Sequence, residues 1–369
     1  MSFQIMRWRL ILLAVVVIFL ATFGYLFIRR DKPPVEIIKQ AREGISSAKT
    51  QQANIYAKSH LNKAIENYDS AMVYWEEENK RFFLFRNYET TLRFANESIK
   101  YSKKATDNAS SSSKSLNTET EKILADVQAK IKSFQTKFNH LPLNGIKHQF
   151  NKGKLLANEA ASAYKNGNLQ VAKSKANQAK VIVDKTYKQA YTILSDYFEQ
   201  YDKWNGWAAY AKHYSQKNDA VAVVIDKYSR ECLVYSSGKV IQKFDVELGE
   251  NWLGTKQYQG DKATPEGIYK VERKKERSST KYYKALLINY PNEDDKVRFT
   301  KNKKNGVIAN NSKIGNLIEI HGSGGNGADW TEGCVALTNK NMDILYSKCS
   351  VGTPIIIVGS LKSLKEVMK

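Results

Sequence analysis

The chain has 369 residues and a formal net charge of +21, with 58 Lys and Arg against 37 Asp and Glu, which suits a polyanionic neighbourhood of head groups, acidic wall polymers or nucleic acid. The lysines are scattered along amphipathic segments without a nucleic-acid module, so most of this charge is expected on a solvated face and no nucleic-acid partner is expected. Three cysteines, Cys232, Cys334 and Cys349, make no disulfide framework, and no His or Cys stands near enough in sequence for a zinc cluster, so no metal or organic cofactor is expected.

Leu10 to Ile28 is an apolar run interrupted only by Thr22, Gly24 and Tyr25, close to the ~20 residues that a spanning helix needs. Arg7 and Arg9 precede it and Arg29, Arg30 and Lys32 come after, so the positive-inside rule leaves orientation undecided. A cleaved signal peptide competes with an anchor. The long apolar run and the poor small-x-small site at Ala21-Thr22-Phe23 make residues 1–33 an uncleaved signal anchor in our reading.

Residues 34–216 are rich in Ala, Lys, Asn, Gln and Ser and poor in Gly and Pro. Ala41, Ile45, Ala48 and then Ala53, Tyr56, Ala57, Leu61 and Ala64 recur at three- and four-residue steps, the spacing of one helical face. The habit returns at Leu156 to Tyr164 and at Ala172, Ala176 and Ala179, which predicts several packed helices. Asn87-Tyr88 with Ala95-Asn96 is echoed by Asn168-Leu169 with Ala176-Asn177 at an offset of 81 residues, a weak internal repeat of helical hairpins. Between the copies, Asp107 to Ser115 is a serine-rich stretch expected to form a loop or helix end. His60, His140, His148 and His213 lie apart from other ligand types and are expected to be surface or packing residues. Trp204 and Trp207 either pack the last helix against the C-terminal domain or offer a sugar-stacking platform, with packing preferred.

After Asn218 the period becomes strand-like. Predicted strands are Ala220–Asp226, Cys232–Tyr235, Val240–Leu248, Ile268–Glu272, Ala285–Asn289, Leu317–Ile320 and Ile355–Val358, with one short helix from Asn339 to Cys349 capped by Thr338 or Asn339. The fold class is therefore α+β overall: a membrane helix, an all-α region, then a mainly β, sandwich-like domain over 217–360 and a tail over 361–369. Cys232 and Cys349 are expected to be small apolar packing residues, with a disulfide between them as the alternative in an oxidising compartment.

His321 ends an apolar strand pattern, and thirteen positions later Cys334 stands after a glycine-rich loop. A cysteine nucleophile needs a base, and imidazole suits that task near neutral pH. Gly322, Gly324, Gly325 and Gly327 give the intervening loop the freedom to fold back.

Ile318-Glu319-Ile320-His321-Gly322, with Asp329-Trp330-Thr331-Glu332-Gly333-Cys334-Val335-Ala336-Leu337 after it, resembles the active-site signature of the L,D-transpeptidase (YkuD-like) family. The upstream segments Ala222 to Lys227 with Cys232 to Tyr235, Gly260 to Gly267, and Asn289-Tyr290-Pro291-Asn292 with Asp295 resemble the family's opening hairpin, the turn before a core strand, and a loop of one branch. The resemblance covers about the last 145 residues. It implies that Cys334 attacks a carbonyl of a peptidoglycan stem peptide, expels D-alanine and passes a thioester to an amine. His321 would be the base, and the Gly333 and Cys334 amides would hold the oxyanion. Thr331, Trp330 and Gly322 would border the substrate, with Thr331 orienting the loop. The chain would then be a single-pass protein of the cytoplasmic membrane with its catalytic domain on the outer, periplasmic side, peptidoglycan as its partner, and a helical region available to envelope proteins.

Two positions depart from the common pattern, Glu332 before the Gly-Cys pair and Ala336 two residues after the cysteine. The Gly-Cys-x-Ala arrangement also resembles an envelope amidase branch of the family, which hydrolyses. A non-enzymatic wall-binding scaffold is the alternative from a different class. Glu332 is expected to point away from the sulfur, because a carboxylate aimed at it would disfavour the thiolate.

Overall fold

The computed structural model describes residues 2–369. Its first helix, α1 (Ser2–Arg29), is long and apolar enough over Met6–Arg29 to cross a membrane, and none of that apolar window is buried inside the protein. Seven more helices come next: α2 (Val35–Thr50), α3 (Ala53–Tyr56), α4 (Lys58–Lys80), α5 (Glu89–Phe138), α6 (Asn144–Lys165), α7 (Leu169–Phe198) and α8 (Tyr201–Lys217).

Small side chains set the spacing of these helices. Ala41, Ala48, Ala53, Ala64 and Ala71 are fully buried, and a Cβ at Gly44 of α2 would collide with Ser102 of α5. The serine-rich stretch 107–115 is not a loop, contrary to its composition; it lies within the continuous α5. No Gly or Pro interrupts it, Ala105 and Ala109 bury one face, and the Ser111 hydroxyl donates to the Asn108 carbonyl within the helix. Both copies of the Asn-containing motif fall at helix starts, Asn87-Tyr88 before α5 and Asn168-Leu169 at the head of α7.

The described residues divide into two compact units, one running up to residue 124 with 159–176, the other comprising 125–158 and 177–369. The second unit contains the sheet and also takes in helical segments, where Phe134 stacks on Phe150 at 3.8 Å and Phe138 meets Tyr187 edge-on.

The sheet has eight strands: β1 (Ala222–Asp226), β2 (Glu231–Ser236), β3 (Lys239–Asp245), β4 (Gly267–Glu276), β5 (Lys284–Ile288), β6 (Glu319–His321), β7 (Val335–Ala336) and β8 (Pro354–Val358), in the order β3-β2-β1-β8-β4-β5-β6-β7. Val246 to Gly249 then run back from the β3 end to the β7 end, with bridges from Glu247 to Ala336 and from Gly249 to Thr331. One curled sheet thereby achieves the sandwich-like packing expected from the strand pattern.

Helix α9 (Glu293–Lys304) occupies a segment whose start has the look of a loop in sequence. Its sequence, EDDKVRFTKNKK, has no apolar stripe, so periodicity does not reveal it. A capping box between Asn292 and Asp295, three acids in the first turn and three lysines in the last supply the signal instead. Helix α10 (Asn339–Lys348) begins at Thr338, whose hydroxyl accepts the Asn341 N–H, and a short α11 (Leu364–Val367) lies in the tail.

Trp204 of α8 is buried in packing, and a Cβ at Gly359 would run into its ring. Beneath it, the fully buried Lys227 ammonium donates to the Gly254 and Thr264 carbonyls and to Glu266 at 2.7 Å. Tyr197 and the Trp204 indole donate to the same carboxylate. Cys232 and Cys349 are buried, free thiols.

Candidate active site

Strands β6 and β7 are parallel, with Ile320 opposite Val335 and His321 opposite Ala336. Extending that register by one step sets Cys334 beside Glu319. Residues two apart in a strand share a face, so the thirteen-residue spacing delivers Cys334 to the face that carries His321. Contacts agree with this register: the Glu319 N–H donates to Cys334 Sγ at 3.4 Å, and the thiol turns toward the Leu317 carbonyl at 3.7 Å.

His321 is fully buried. Its Nδ1 lies 2.6 Å from the Gly322 carbonyl; a carbonyl only accepts, so Nδ1 carries the proton and Nε2 keeps its lone pair. Nε2 is buried without a hydrogen-bond partner. Tyr282 stacks on the imidazole at 3.5 Å, nearly parallel, and Trp330 meets it edge-on at 6.0 Å. These rings exclude water. Burial is accordingly the largest influence on both side chains: it holds the imidazole below its usual range and pushes the Cys334 thiol up to about 11. The resting pair is a thiol and a neutral imidazole, which suits general-base transfer to Nε2 at the moment of attack.

The loop before the cysteine is wired through Thr331, whose buried hydroxyl donates to the Cys334 carbonyl at 2.7 Å and accepts the Gly333 N–H at 3.2 Å. This corrects the expectation for Gly333: its amide is already engaged, so it is not a ready oxyanion donor. Glycine is required there for another reason, since its φ is +127° and a Cβ would meet the Ala263 carbonyl at 2.6 Å. The Cys334 N–H has no such commitment among the described backbone hydrogen bonds. Glu332 is exposed, and its carboxylate lies 3.8 Å from Lys262, directed away from the sulfur as expected.

Residues 220–357 match the family model of the YkuD L,D-transpeptidase catalytic domain.

YafK of Escherichia coli K12, whose name assigns it provisionally to the L,D-transpeptidases, is 33% identical over 94 residues, covering 26% of this chain and 31% of that protein. The match thus spans about a third of the curated relative. Among solved structures, an L,D-transpeptidase from Mycobacterium smegmatis is 17% identical, covering 37% of this chain and 58% of its own, with a TM-score of 0.25. One from Stackebrandtia nassauensis is 18% identical, covering 38% and 56%, with a TM-score of 0.26.

Within the YkuD-matched domain, Glu247 emerges as an organising residue that motif reading passes over. Its carboxylate accepts the Gly325 and Gly327 N–H groups at 3.1 and 2.7 Å and the Trp330 indole N–H at 2.6 Å, tying the glycine loop to the ring beside His321. A carboxylate inside the apolar pattern Val240–Leu248 is the available signal. A Cβ at Gly322 would meet Asn339 Oδ1 at 2.7 Å and Tyr283 at 3.0 Å, and Gly322 serves the site chiefly through the carbonyl that fixes the imidazole. Leu317 holds a left-handed backbone (φ +59°) with its side chain exposed, next to the sulfur. Neither Tyr282 nor Leu317 belongs to any chemical motif, and only the fold brings them here.

A cavity of about 740 Å³ shares the glycine loop with the site and is lined by His140, Arg230, Glu247, Gly327 and Asp329 among others. Arg230 is paired with Asp329 at 2.8 Å, and burial lowers His140 to about 4.

Proposed function

We propose that the chain is a membrane-anchored cysteine acyltransferase acting on peptidoglycan stem peptides, with Cys334 as nucleophile and His321 as base. The observation that carries this is the buried, unpartnered Nε2 of His321 on the same sheet face as Cys334, within a domain matched by the L,D-transpeptidase family model. The thiol leaves the Leu317 carbonyl and gives its proton to Nε2 as sulfur bonds to the substrate carbonyl carbon. The oxyanion falls toward the Cys334 N–H. Collapse expels the leaving amine, which takes the proton from the imidazolium, and a thioester remains for the acceptor amine. Trp330, Thr331 and Gly322 shape this site by holding its loop, its carbonyl and its imidazole, and Trp330 is available to border substrate.

Anchoring rests on α1 and on the substrate lying outside the cytoplasmic membrane. The catalytic domain belongs on that outer side, and the helical region is then free to meet envelope proteins.

Incubation of the full chain with purified muropeptides, and mass analysis of the products, tests this function. Cross-linked or exchanged products that vanish in Cys334→Ala are expected. Hydrolysed stems alone would replace transfer with the amidase activity suggested by Ala336, and no Cys334-dependent product with a folded protein would leave the scaffold reading standing.

A further inference from the structure

The turn between α4 and α5, Arg81-Phe82-Phe83-Leu84-Phe85-Arg86, carries large apolar side chains into solvent. Phe82 is 58% exposed and Phe85 65%. Single exposed aromatics are ordinary, but here three phenyl rings gather, Phe82 lying 4.7 Å from Phe83 and 6.1 Å from Phe85.

The turn is built to hold them there. Arg86 donates to the Arg81 and Asn79 carbonyls, the Asn87 N–H donates to Glu78 at 3.0 Å, and the buried Tyr88 hydroxyl donates to Asn79 at 2.8 Å. An ordered turn thus presents Phe82 and Phe85 as an apolar surface that nothing among the described residues covers.

Its position says what does. The Arg30 guanidinium sits over Phe27 at 4.0 Å and over Phe83 at 6.0 Å, so one cation links the last apolar turn of α1 to the phenyl cluster. The Tyr88 N–H also reaches Asp31, just past the end of α1, at 3.4 Å. If α1 crosses the bilayer, its apolar run ends at Ile28, where head groups begin, and the phenyl cluster lies at that same level.

We infer that the Phe82–Phe85 turn dips into the interface of the membrane that α1 crosses and forms a second contact with the same lipid surface. Phe side chains are among those that bury at the boundary of head groups and acyl chains when a structured segment presents them there. The contribution of the turn is apolar in origin: within it Glu76, Glu77 and Glu78 offset Lys80, Arg81 and Arg86, and the basic charge at this level belongs to Arg29, Arg30 and Lys32 at the end of α1. Two contacts, one axial and one lateral, would fix the tilt at which the chain leaves the membrane.

This rests on the reading of α1 as a membrane span, and the test separates the two. In the full chain with Cys232→Ala, Cys334→Ser and Cys349→Ala, an environment-sensitive fluorophore is placed at Phe85→Cys, at Val15→Cys within α1, or at Ser112→Cys, about 35 Å further along α5. Each protein is reconstituted in phosphatidylcholine vesicles, with or without phosphatidylglycerol, and quenched by nitroxide lipids or aqueous iodide. We expect the label at 85 to lose most of its emission to a shallow nitroxide in either lipid, the label at 15 to a deep one, and the label at 112 only to iodide. Quenching at 15 without lipid quenching at 85 would overturn the turn's role while keeping the anchor. Loss at neither would overturn both, and quenching at 85 that requires phosphatidylglycerol would overturn the apolar account. Leu84→Cys repeats the measurement with all three phenyl rings in place.

Discussion

Alkylation of Cys334 by iodoacetamide should rise about tenfold per pH unit from pH ~6 to beyond pH ~9, because the thiolate is the reacting species and the thiol stays protonated across that range. Burial raises the thiol from 9.0 to about 11, so at pH 7 its thiolate fraction falls from ~10⁻² to ~10⁻⁴. A more basic thiolate is also a better nucleophile, and a Brønsted slope of ~0.4–0.5 returns about one of those two powers of ten. The net expectation is a rate about tenfold below that of an unperturbed cysteine at pH 7. Restricted access would lower the whole curve without changing its slope, so the slope is what decides. The assay is carbamidomethylation of Cys334 read by peptide mass analysis, with the buried Cys232 and Cys349 as internal references. His321→Ala should leave the alkylation slope unchanged while abolishing turnover, since the neutral imidazole does not hold the resting thiol. A plateau below pH ~8, lost in His321→Ala, would show a preformed thiolate–imidazolium pair and refute the reasoning.

Tyr282→Leu should admit water to the imidazole, let its pKa rise toward the ordinary value, and move the acid limb of kcat against pH upward; an unmoved limb would mean that the ring only packs. Glu247→Gln replaces an acceptor of three N–H groups with an amide that clashes with the Trp330 donor, and should cost about 1–3 kcal/mol in urea melts along with most of the rate. Lys227→Met strands the Glu266 carboxylate in the interior and should cost about 3–5 kcal/mol, whereas Lys227→Met with Glu266→Gln should recover part of it, measured as a double-mutant cycle. Glu332→Gln should leave rate, pH limbs and stability within experimental scatter, because the carboxylate is solvated beside Lys262.

Much of this architecture is legible in the sequence because its physics is local. Short apolar or alternating runs mark seven of the eight strands within a few residues, leaving the two-residue β7 unmarked, and the alanine stripes mark the helices. Errors come where a second interaction outweighs composition. Ser111 satisfies its hydroxyl within α5, so a serine-rich stretch stays helical when Ala105 and Ala109 are buried beneath it. Helix α9 has caps and charges but no stripe, and a search for periodicity passes over it. At the site, Cys334 and His321 are visible as residue types at a workable spacing. The Gly333 amide is misjudged from sequence because the Thr331 hydroxyl two residues earlier takes it, and Tyr282 is invisible because only β5 and its flanking turn carry it to the imidazole.

A neutral resting pair changes how specificity must arise. If Cys334 attacks as proposed, the scarcity of thiolate means that a bound acyl donor would have to make sulfur a better acid or Nε2 a better acceptor before attack is productive, so binding and activation would be one event. Tyr282 and Trp330 cover the imidazole, and on the proposed mechanism the same burial that raises the cysteine would protect a thioester at Cys334 from hydrolysis. Transfer over hydrolysis would then be set by how long that aromatic cover stays closed, which places the outcome on Glu247, the carboxylate that ties Trp330 to the glycine loop. Loosening that tie in Glu247→Gln should consequently shift the surviving products from cross-linked toward hydrolysed stems. An unchanged product ratio at reduced rate would locate the control of water elsewhere.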